Sequence, residues 1–405
     1  MKVLFDLTAS QPGNRTKLNK TGFTGGGEYC KVVFTALIIQ KSDLDVEVFF
    51  DVKREKDSKL VEFCKENNVN IYDIDINNEL NELINVHHYD VVYSALPGNE
   101  YKKVYFPAET KFVFTQHGLR GLELLKDKYE LNYTKEIKNI VRCVIKNIIP
   151  ETVMNKRIAS IRELFDITSN KRMITDSYHS KNSLLWFFPD IQEEQICVAA
   201  APAKICSLRE DEDAVLDNYG ISSKKFFLLV CADRWEKNNY RMIIALKNLI
   251  KKRRKLFEGY KILVLGNDNG TIYNRLITSD IKDFFIFKGY VSTEELEVFY
   301  KNAYTFLYPS LNEGFGYPPI EAMKYGTLSV CAADSSITEV CGDAVLYFNP
   351  YNINEMSIRV LQSFDKNVRG QIEERMYSQY ERVLEIQKKG MDIVLDTISQ
   401  QYENK

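Results

Sequence analysis

The sequence predicts an α/β protein made of two doubly wound domains, each a parallel sheet flanked by helices. Short apolar runs rich in β-branched residues alternate with helical patterns along the chain, and this alternating series occurs twice in succession. A chain of 405 residues is also long enough for about two domains.

Each half of the chain supplies its own series of strands. In the first half the predicted strands are residues 3–7, 46–50, 70–72, 91–94, 112–115 and 172–175. In the second half they are residues 226–231, 261–265, 284–287, 305–308, 328–331 and 344–347. Helical patterns such as residues 28–40 and 294–302 lie between the strands. Apolar strands joined through helices are typical of parallel sheets.

The stretch with the weakest secondary-structure signal, residues 197–208, is predicted to link the two domains. The first domain is then residues 1–203, with a helical insertion at about 122–165 where no strand signal occurs. The second domain is residues 204–380. The last segment, residues 381–405, is expected to be a helix that packs back on the first domain.

Composition excludes several classes of protein. The chain has 54 Lys and Arg against 56 Asp and Glu, and this balance argues against a surface built for nucleic acid. There is no run of 18 apolar residues, and Asp6 interrupts the apolar start, so neither a membrane span nor a signal peptide is expected. The eight cysteines form no Cys-x-x-Cys pair, so buried reduced thiols in a cytoplasmic chain are expected.

The most informative stretch follows the predicted strand at residues 305–308 and opens a helix. From Glu313 it reads EGFGYPPIEAM. Pro318 suits the first helical turn, so Glu313 is placed in the loop at the carboxyl end of the strand and Glu321 in the first turn of the helix. Ligands bind at this edge of open α/β sheets, and carboxylates accept hydrogen bonds from the hydroxyl groups of sugars. A loop glutamate beside a helix glutamate that stabilises the helix dipole is the simpler alternative.

The spacing of the two glutamates, E-x7-E with this glycine and proline context, resembles the signature of retaining glycosyltransferase family 4. The resemblance implies the GT-B fold, in which two Rossmann-like doubly wound domains face a central cleft. It also implies that Glu313 is catalytic, contacting the transferred sugar, and that Glu321 binds the ribose of the donor. The residues between them are expected to line the donor site: Gly314, Phe315, Gly316 and Tyr317.

A second polar patch, residues 232–238, follows the strand that opens the second domain. Fixed cations in this position would stabilise a leaving diphosphate without a metal. The patch resembles the family's G-R-x(n)-K-N element, which assigns the pyrophosphate to Arg234 and Lys237. Asp233 stands where the family usually has a small residue, and the Arg–Lys spacing is shorter than the commonest form. An ordinary loop with solvated charges is the alternative.

Three further segments resemble parts of the same family. Tyr290 and Val291 precede a capped helix, where the family's backbone meets the nucleobase. Gly26 and Gly27 resemble its G-G-x-E loop, which faces the donor phosphates from the first domain. His117 ends a predicted strand, where the family often has a histidine that contacts the transferred sugar. His117 is therefore a second catalytic candidate, although a histidine at a strand end is more often structural.

The function implied is transfer of a hexose-type sugar, with retention, from a UDP- or GDP-sugar to a glycan or lipid-linked acceptor in cell-surface polysaccharide biosynthesis. No cofactor and no metal are expected, because the Asp-x-Asp patterns at residues 43–45 and 73–75 are expected by chance in this chain. Glu313→Ala is expected to leave the fold intact and slow turnover by on the order of a hundredfold. A sugar-nucleotide epimerase, a non-catalytic partner subunit and a membrane-docked scaffold are the competing interpretations.

The insertion at residues 122–165 is both basic and amphipathic. Its basic residues are Lys135, Lys138, Arg142, Lys146, Lys156, Arg157 and Arg162, and its apolar ones include Ile137, Ile140, Val141, Val144, Ile145, Ile148 and Ile149. Such a helix can lie on an anionic membrane surface, which would make the chain a peripheral protein of the inner membrane face. The favoured interpretation is a helix whose apolar face packs on the domain, since surface helices are amphipathic by default.

Overall fold

The computed structural model describes residues 1–12, 25–134, 136–203 and 208–400. These residues form two compact units. Unit 1 comprises the described residues of Met1–Leu122, Met154–Lys204 and Glu385–Lys405, and unit 2 those of Glu123–Val153 and Ile205–Leu384. The predicted domain boundary at residue 204, the proposed membrane-facing Lys135 and one cysteine, Cys206, lie outside the described residues.

Unit 1 contains, within its described residues, a seven-stranded sheet in the order β3-β2-β1-β4-β5-β6-β7, with every pairing parallel. The strands are β1 Lys2–Asp6, β2 Asp45–Asp51, β3 Asn70–Ile74, β4 Val91–Ser94, β5 Lys111–Thr115, β6 Lys171–Thr175 and β7 Ile196–Val198. The strand order changes direction between β1 and β4, which is where ligands bind in open sheets of this kind.

Unit 2 contains a six-stranded sheet, counted over the part of the chain that the structure describes, in the order β10-β9-β8-β11-β12-β13. All its pairings are parallel. The strands are β8 Phe226–Leu229, β9 Lys261–Leu265, β10 Phe285–Lys288, β11 Thr305–Tyr308, β12 Ser329–Ala332 and β13 Leu346–Phe348. Here the direction changes between β8 and β11, so the loops after these two strands meet at one edge.

Helices connect the strands and cover the sheets. In chain order they are α1 Gly25–Gln40, α2 Ser58–Glu66, α3 Leu80–His87, α4 Arg120–Glu123, α5 Ile137–Ile148, α6 Pro150–Phe165, α7 Tyr178–Phe187, α8 Glu212–Asn218, α9 Asn239–Lys252, α10 Thr293–Asn302, α11 Tyr317–Met323, α12 Ser336–Cys341, α13 Ile353–Gln362 and α14 Lys366–Ile398. The capping box predicted before α10 is present: the Ser292 hydroxyl accepts from the Glu295 N–H, and the Glu295 carboxylate accepts from the Ser292 N–H.

The predicted strands are all present, and the central strands of each sheet are short apolar runs that are buried on both faces. In β8, for example, Phe226, Phe227, Leu228 and Leu229 are completely buried. Alternating strands and helices therefore gave the fold class correctly.

The C-terminal segment is one continuous helix, α14, whose residues from Glu385 onward belong to unit 1. There it crosses the chain that follows β7 at close range. The Gln387 amide donates to the Ala201 carbonyl at 2.8 Å, and a Cβ added at Gly390 would lie only 2.4 Å from the Ala200 carbonyl oxygen. Glycine at position 390 is what allows this approach.

The predicted linker at residues 197–208 needs correction. Its first residues pair with β6 as part of β7, and Ala199, Ala200 and Ala201 are buried beneath α14. A strand of only three residues, Ile196–Val198, is too short to produce a periodic pattern, which is why the sequence did not predict it.

The helical insertion also differs from the prediction. Residues 123–153 belong to unit 2, whereas residues from Met154 belong to unit 1, so α6 passes from one unit to the other. The expectation that the apolar face of the insertion packs on the domain is wrong for α5, since most of its apolar side chains are exposed.

The described cysteines are free thiols, and all of these except Cys231 are buried, as expected. Among the described residues, no helix combines the length and the apolar character that crossing a bilayer requires.

Candidate active site

The loops that follow β8, β11 and β12 meet at one edge of the sheet of unit 2, because these strands are neighbours and parallel. The first loop carries Arg234 and Lys237, the second carries Glu313, and the third carries Ser335. A backbone hydrogen bond of 2.8 Å from the Leu311 N–H to the Glu236 carbonyl ties the first two loops together.

Glu313 is the centre of this edge. Three donors converge on its Oε1: the Lys237 ammonium at 2.5 Å, the Tyr308 hydroxyl at 2.6 Å and the Ser310 hydroxyl. Its backbone is held as well, because its N–H donates to the Ser335 hydroxyl at 2.9 Å and its carbonyl accepts from Ser336 at 3.0 Å. The carboxylate is therefore fixed in one orientation.

Burial makes this arrangement electrostatically strong. Glu313 is only 8% exposed and Lys237 only 6%, so the two charges lie where water screens them little. The Lys237 ammonium also lies 5.2 Å from the centre of the Tyr308 ring. Burial, and then the adjacent Glu313 charge, raise the pKa of Tyr308 well above its ordinary value, so its hydroxyl remains a donor.

The turn that presents Lys237 has unusual backbone geometry. Cys231 and Asn238 both adopt left-handed conformations, with φ of 52° and 58°. The Asn238 side chain donates to the Pro350 carbonyl at 2.8 Å, and the Asn239 side chain donates to the Val230 carbonyl at 2.8 Å. These bonds hold the backbone in a left-handed conformation that residues other than glycine and asparagine rarely adopt.

Arg234 lies on the same loop but is more accessible, with 39% of its side chain exposed. Its guanidinium donates to Glu236 Oε1 through Nε at 2.9 Å and through Nη2 at 2.6 Å. Both cations predicted to bind pyrophosphate are thus paired with carboxylates, Lys237 with Glu313 and Arg234 with Glu236.

Glu321 lies in α11 and not in its first turn, contrary to the prediction. Gly316 has φ of 98° and caps a helix that begins at Tyr317, so Glu321 is its fifth residue. Tyr300, on the neighbouring helix α10, is almost completely buried and lies close to Glu321. Burial, followed by the charge of Glu321, raises the pKa of Tyr300 well above its ordinary value.

The glycine-rich segment between the two glutamates is packed. Phe315 is buried, and its ring meets the Tyr317 ring edge-on at 5.2 Å. A Cβ added at Gly316 would lie 3.7 Å from Ile337, and the positive φ there favours glycine independently of space. Gly314 follows Glu313 directly in this loop.

Tyr290 and Val291 lie between β10 and α10. The Tyr290 hydroxyl donates to both oxygens of Asp233, at 2.7 and 2.8 Å, which joins this segment to the loop of Arg234. Burial is the main reason that the pKa of Asp233 is raised. The residue that departs from the family pattern therefore has a defined partner in Tyr290.

Unit 1 brings a second set of predicted residues together. Gly26 and Gly27 lie in α1, and a Cβ added at Gly26 would be 3.8 Å from His117 Nε2. The His117 ring meets the Tyr29 ring edge-on at 4.8 Å. His117 follows β5, next to β4 and β6 in the sheet.

Both ring nitrogens of His117 have acceptors. Nδ1 lies 2.6 Å from Asp176 Oδ2, and Nε2 lies 2.9 Å from the Ala95 carbonyl oxygen. A carbonyl can only accept, so Nε2 carries a proton, and protonation of Nδ1 is favoured by the carboxylate. Burial lowers the pKa of His117, but Asp176 and the Ala95 carbonyl outweigh it and raise the pKa above 6.5.

Sequence reasoning missed several members of these two clusters. Asp176 immediately follows the buried strand β6, and a carboxylate in that position was a signal that could have been read. Ser335 and Ser336, which hold the backbone of Glu313, could be found only from the structure. No group of three or more potential metal ligands occurs among the residues that the structure describes.

Comparison with known proteins found a family model that matches the part of the chain carrying the site. Residues 212–382, which include Arg234, Lys237, Glu313 and Glu321, match the family model described as glycosyl transferases group 1. This agrees with the predicted resemblance to glycosyltransferase family 4.

Two curated relatives cover part of the chain. It is 31% identical over 153 residues to the O-antigen chain mannosyltransferase B of Escherichia coli, a match that covers 37% of this chain and 39% of that protein. It is 26% identical over 156 residues to the O-antigen chain mannosyltransferase RfbU of Salmonella typhimurium, covering 34% of this chain and 44% of that protein. The matches thus span less than half the length of these relatives.

Solved structures resemble the whole chain. The complex of Anabaena Alr3699/HepE with UDP aligns with a TM-score of 0.66 at 14% identity, over 99% of this chain and 100% of that one. A glycosyltransferase from Rickettsia africae aligns with a TM-score of 0.64 at 14% identity, over 99% of each chain. These likenesses show the fold, and they confirm the predicted GT-B class of two Rossmann-like domains.

Proposed function

We propose that this chain, whose residues 212–382 match the family model of glycosyl transferases group 1, transfers a sugar from a nucleotide diphosphate donor that unit 2 binds. The observation that carries the proposal is the buried Lys237–Glu313 pair at the meeting point of the loops after β8 and β11. A fixed carboxylate suits sugar hydroxyls, and an adjacent cation suits a diphosphate.

The donor diphosphate is assigned to Lys237 and to the more exposed Arg234. As the bond between the anomeric carbon and the phosphate oxygen breaks, negative charge grows on the diphosphate, and fixed cations stabilise it. In this proposal Glu313 orients the transferred sugar, since its carboxylate is held by Lys237, Tyr308 and Ser310. Glu321 binds the ribose hydroxyls.

The transfer retains the configuration at the anomeric carbon. The acceptor oxygen forms its bond on the face from which the diphosphate departs, and the acceptor's proton passes to the leaving phosphate oxygen. The resemblance to a retaining family supports this stereochemistry. His117 is assigned a hydrogen bond to the transferred sugar. For this, the Nε2 N–H has to exchange its present acceptor, the Ala95 carbonyl, for a sugar oxygen.

The transferred sugar is proposed to be a hexose and the product a cell-surface polysaccharide made at the cytoplasmic face of the membrane. Two relatives are named as mannosyltransferases of O-antigen chains, and a structural neighbour was crystallised with UDP. GDP-mannose and UDP-glucose are therefore the first donors to test, with glycan and lipid-linked acceptors.

A transfer assay tests the proposal. The protein is incubated with each labelled donor, with and without acceptor, and the products are separated by chromatography. Acceptor-dependent release of the nucleoside diphosphate, with the anomeric configuration retained in the product, is expected. Isomerised nucleotide sugar in the absence of acceptor would instead identify an epimerase, and no reaction with any donor would indicate a non-catalytic subunit.

A further inference from the structure

Helix α5, Ile137–Ile148, has its apolar and polar faces reversed with respect to an ordinary surface helix. At about 100° per residue, its aliphatic side chains fall within an arc of about 140°. These side chains are Ile137, Ile140, Val141, Val144, Ile145 and Ile148, and all of them are exposed. A helix that packs on its own domain buries such an arc.

The opposite side of α5 packs against the rest of unit 2. Cys143 and Lys146 are its buried residues. The Lys146 ammonium pairs with the Glu130 carboxylate and lies 5.7 Å from the centre of the Trp235 ring. Trp235 adjoins Arg234, so the polar side of α5 is fixed against the loop of the candidate active site while the aliphatic arc points away from it.

One border of the arc is basic. Lys138 and Arg142 lie between the aliphatic arc and Lys146 on the helical wheel, and neither forms an ion pair with a residue that the structure describes. Nearby acidic side chains are engaged elsewhere: Asp127 pairs with Arg241 at 2.7 Å, and Glu130 pairs with Lys146. Glu136 and Glu151 remain near the two ends of α5.

We propose that α5 docks the protein on an anionic lipid bilayer, with its aliphatic arc inserted at the boundary between headgroups and acyl chains and with Lys138 and Arg142 among the anionic headgroups. A wide aliphatic stripe bordered by basic residues, here along one side, is a pattern of helices that lie in this interface. This inference does not rest on the proposed transfer reaction, since the aliphatic arc of α5 is exposed whether or not unit 2 binds a donor.

A bilayer fits this face better than other occupants do. The arc is convex and contains no aromatic or hydrogen-bonding side chain, so it offers nothing to orient a carbohydrate. Lys138 and Arg142, which have no ion-pair partner among the described residues, would repel the same cations on a second copy, whereas phosphatidylglycerol headgroups would attract them.

Vesicle sedimentation of the full chain tests the inference. Unilamellar vesicles of phosphatidylcholine with phosphatidylglycerol are compared with vesicles of phosphatidylcholine alone, at low and high salt. Wild-type protein is expected to sediment with the anionic vesicles, less so at high salt because screening weakens the attraction. The double variant Ile137→Ser/Ile148→Ser should bind at least about tenfold more weakly, since two aliphatic anchors are lost.

A matched variant separates this face from general surface hydrophobicity. Ile39 and Val86 are exposed aliphatic residues on α1 and α3, with 68% and 61% of their surface accessible, against 80% and 71% for Ile137 and Ile148. Ile39→Ser/Val86→Ser should bind like wild type. Lys138→Gln/Arg142→Gln should lose affinity for anionic vesicles by about tenfold, and Lys388→Gln/Lys389→Gln, which alters two exposed lysines on α14, should not.

Wild-type protein that binds neither kind of vesicle would overturn the inference, as would undiminished binding by Ile137→Ser/Ile148→Ser. A wild-type dimer in sedimentation equilibrium that dissociates in this variant would overturn it as well. Thermal unfolding of each variant verifies folding, and unchanged midpoints are expected because the substituted side chains are exposed.

Discussion

At the residue scale, the main finding is that a carboxylate predicted to meet a sugar is also part of the buried framework of unit 2. The sequence located Glu313 and Lys237 correctly in loops that follow strands, because an apolar run followed by a polar loop can be recognised without a structure. It could not show that the two side chains pair, since they are 76 positions apart and meet only through the order of β8 and β11. The pair changes the expectation that Glu313→Ala leaves the fold intact.

The Lys237–Glu313 pair should show strong coupling in stability. Removing either charge takes the oppositely charged neighbour away from the other in a buried site, so Lys237→Met and Glu313→Gln should each reduce the free energy of unfolding by about 2–4 kcal/mol. The double variant should lose clearly less than the sum of the two. Urea denaturation at neutral pH measures all four proteins, and simple additivity would show that the two charges do not interact.

His117 should give the stability of unit 1 a dependence on pH. Its pKa is raised above 6.5 in the folded protein, so folding favours the protonated ring. This stabilisation is fully present below the ordinary pKa of the unfolded state and is lost as the pH rises through the raised pKa. Thermal unfolding between about pH 6 and pH 9 should therefore show a larger decline for wild type than for His117→Gln. Parallel profiles for the two proteins would contradict the assignment of the ring as protonated.

At the element scale, the strands and most helices were predictable because their apolar patterns are regular and alternate along the chain. The failures have specific physical causes. Strand β7 is too short for a pattern, α11 begins one turn before Glu321 because Gly316 can take a positive φ, and α5 has an amphipathic pattern that does not tell which face is buried. Periodicity identifies a helix, but only packing decides the direction in which its apolar side points.

The crossing of α14 over the chain after β7 should depend on Gly390. A Cβ there would lie 2.4 Å from the Ala200 oxygen and 2.7 Å from its nitrogen, so Gly390→Ala should lower the free energy of unfolding by about 1–3 kcal/mol. Gly370→Ala on the same helix is the matched control, because nothing lies within 4 Å of its Cβ. The control should stabilise by up to about 1 kcal/mol through helix propensity. Equal effects of the two substitutions in calorimetry would remove the steric argument.

At the scale of the whole molecule, the fold was predictable from one motif in its context, since the likeness to a solved GT-B structure extends over 99% of the chain. The donor sugar and the acceptor were not, because the identity of a bound sugar depends on contacts that no motif records. The division of the insertion between the two units was also beyond the sequence, because residues 123–153 join unit 2 through pairs such as Asp127–Arg241 and Glu123–Asn312.

Transfer should need no divalent metal, because Arg234 and Lys237 are proposed to neutralise the leaving diphosphate. Activity measured in excess EDTA should equal activity with added magnesium or manganese. Loss of turnover on chelation, restored by manganese, would assign that neutralisation to a metal ion instead.

Binding of a nucleoside diphosphate to unit 2 is the central claim, and thermal unfolding with UDP, GDP and AMP tests it most directly. A ligand at about 100 times its Kd stabilises by about 2.7 kcal/mol, which raises Tm by several degrees. We predict that UDP or GDP raises the Tm of wild type, that AMP does not, that Arg234→Gln reduces the shift and that Arg253→Gln, at the far end of α9, preserves it. No shift with either diphosphate, or an undiminished shift in Arg234→Gln, would contradict the account.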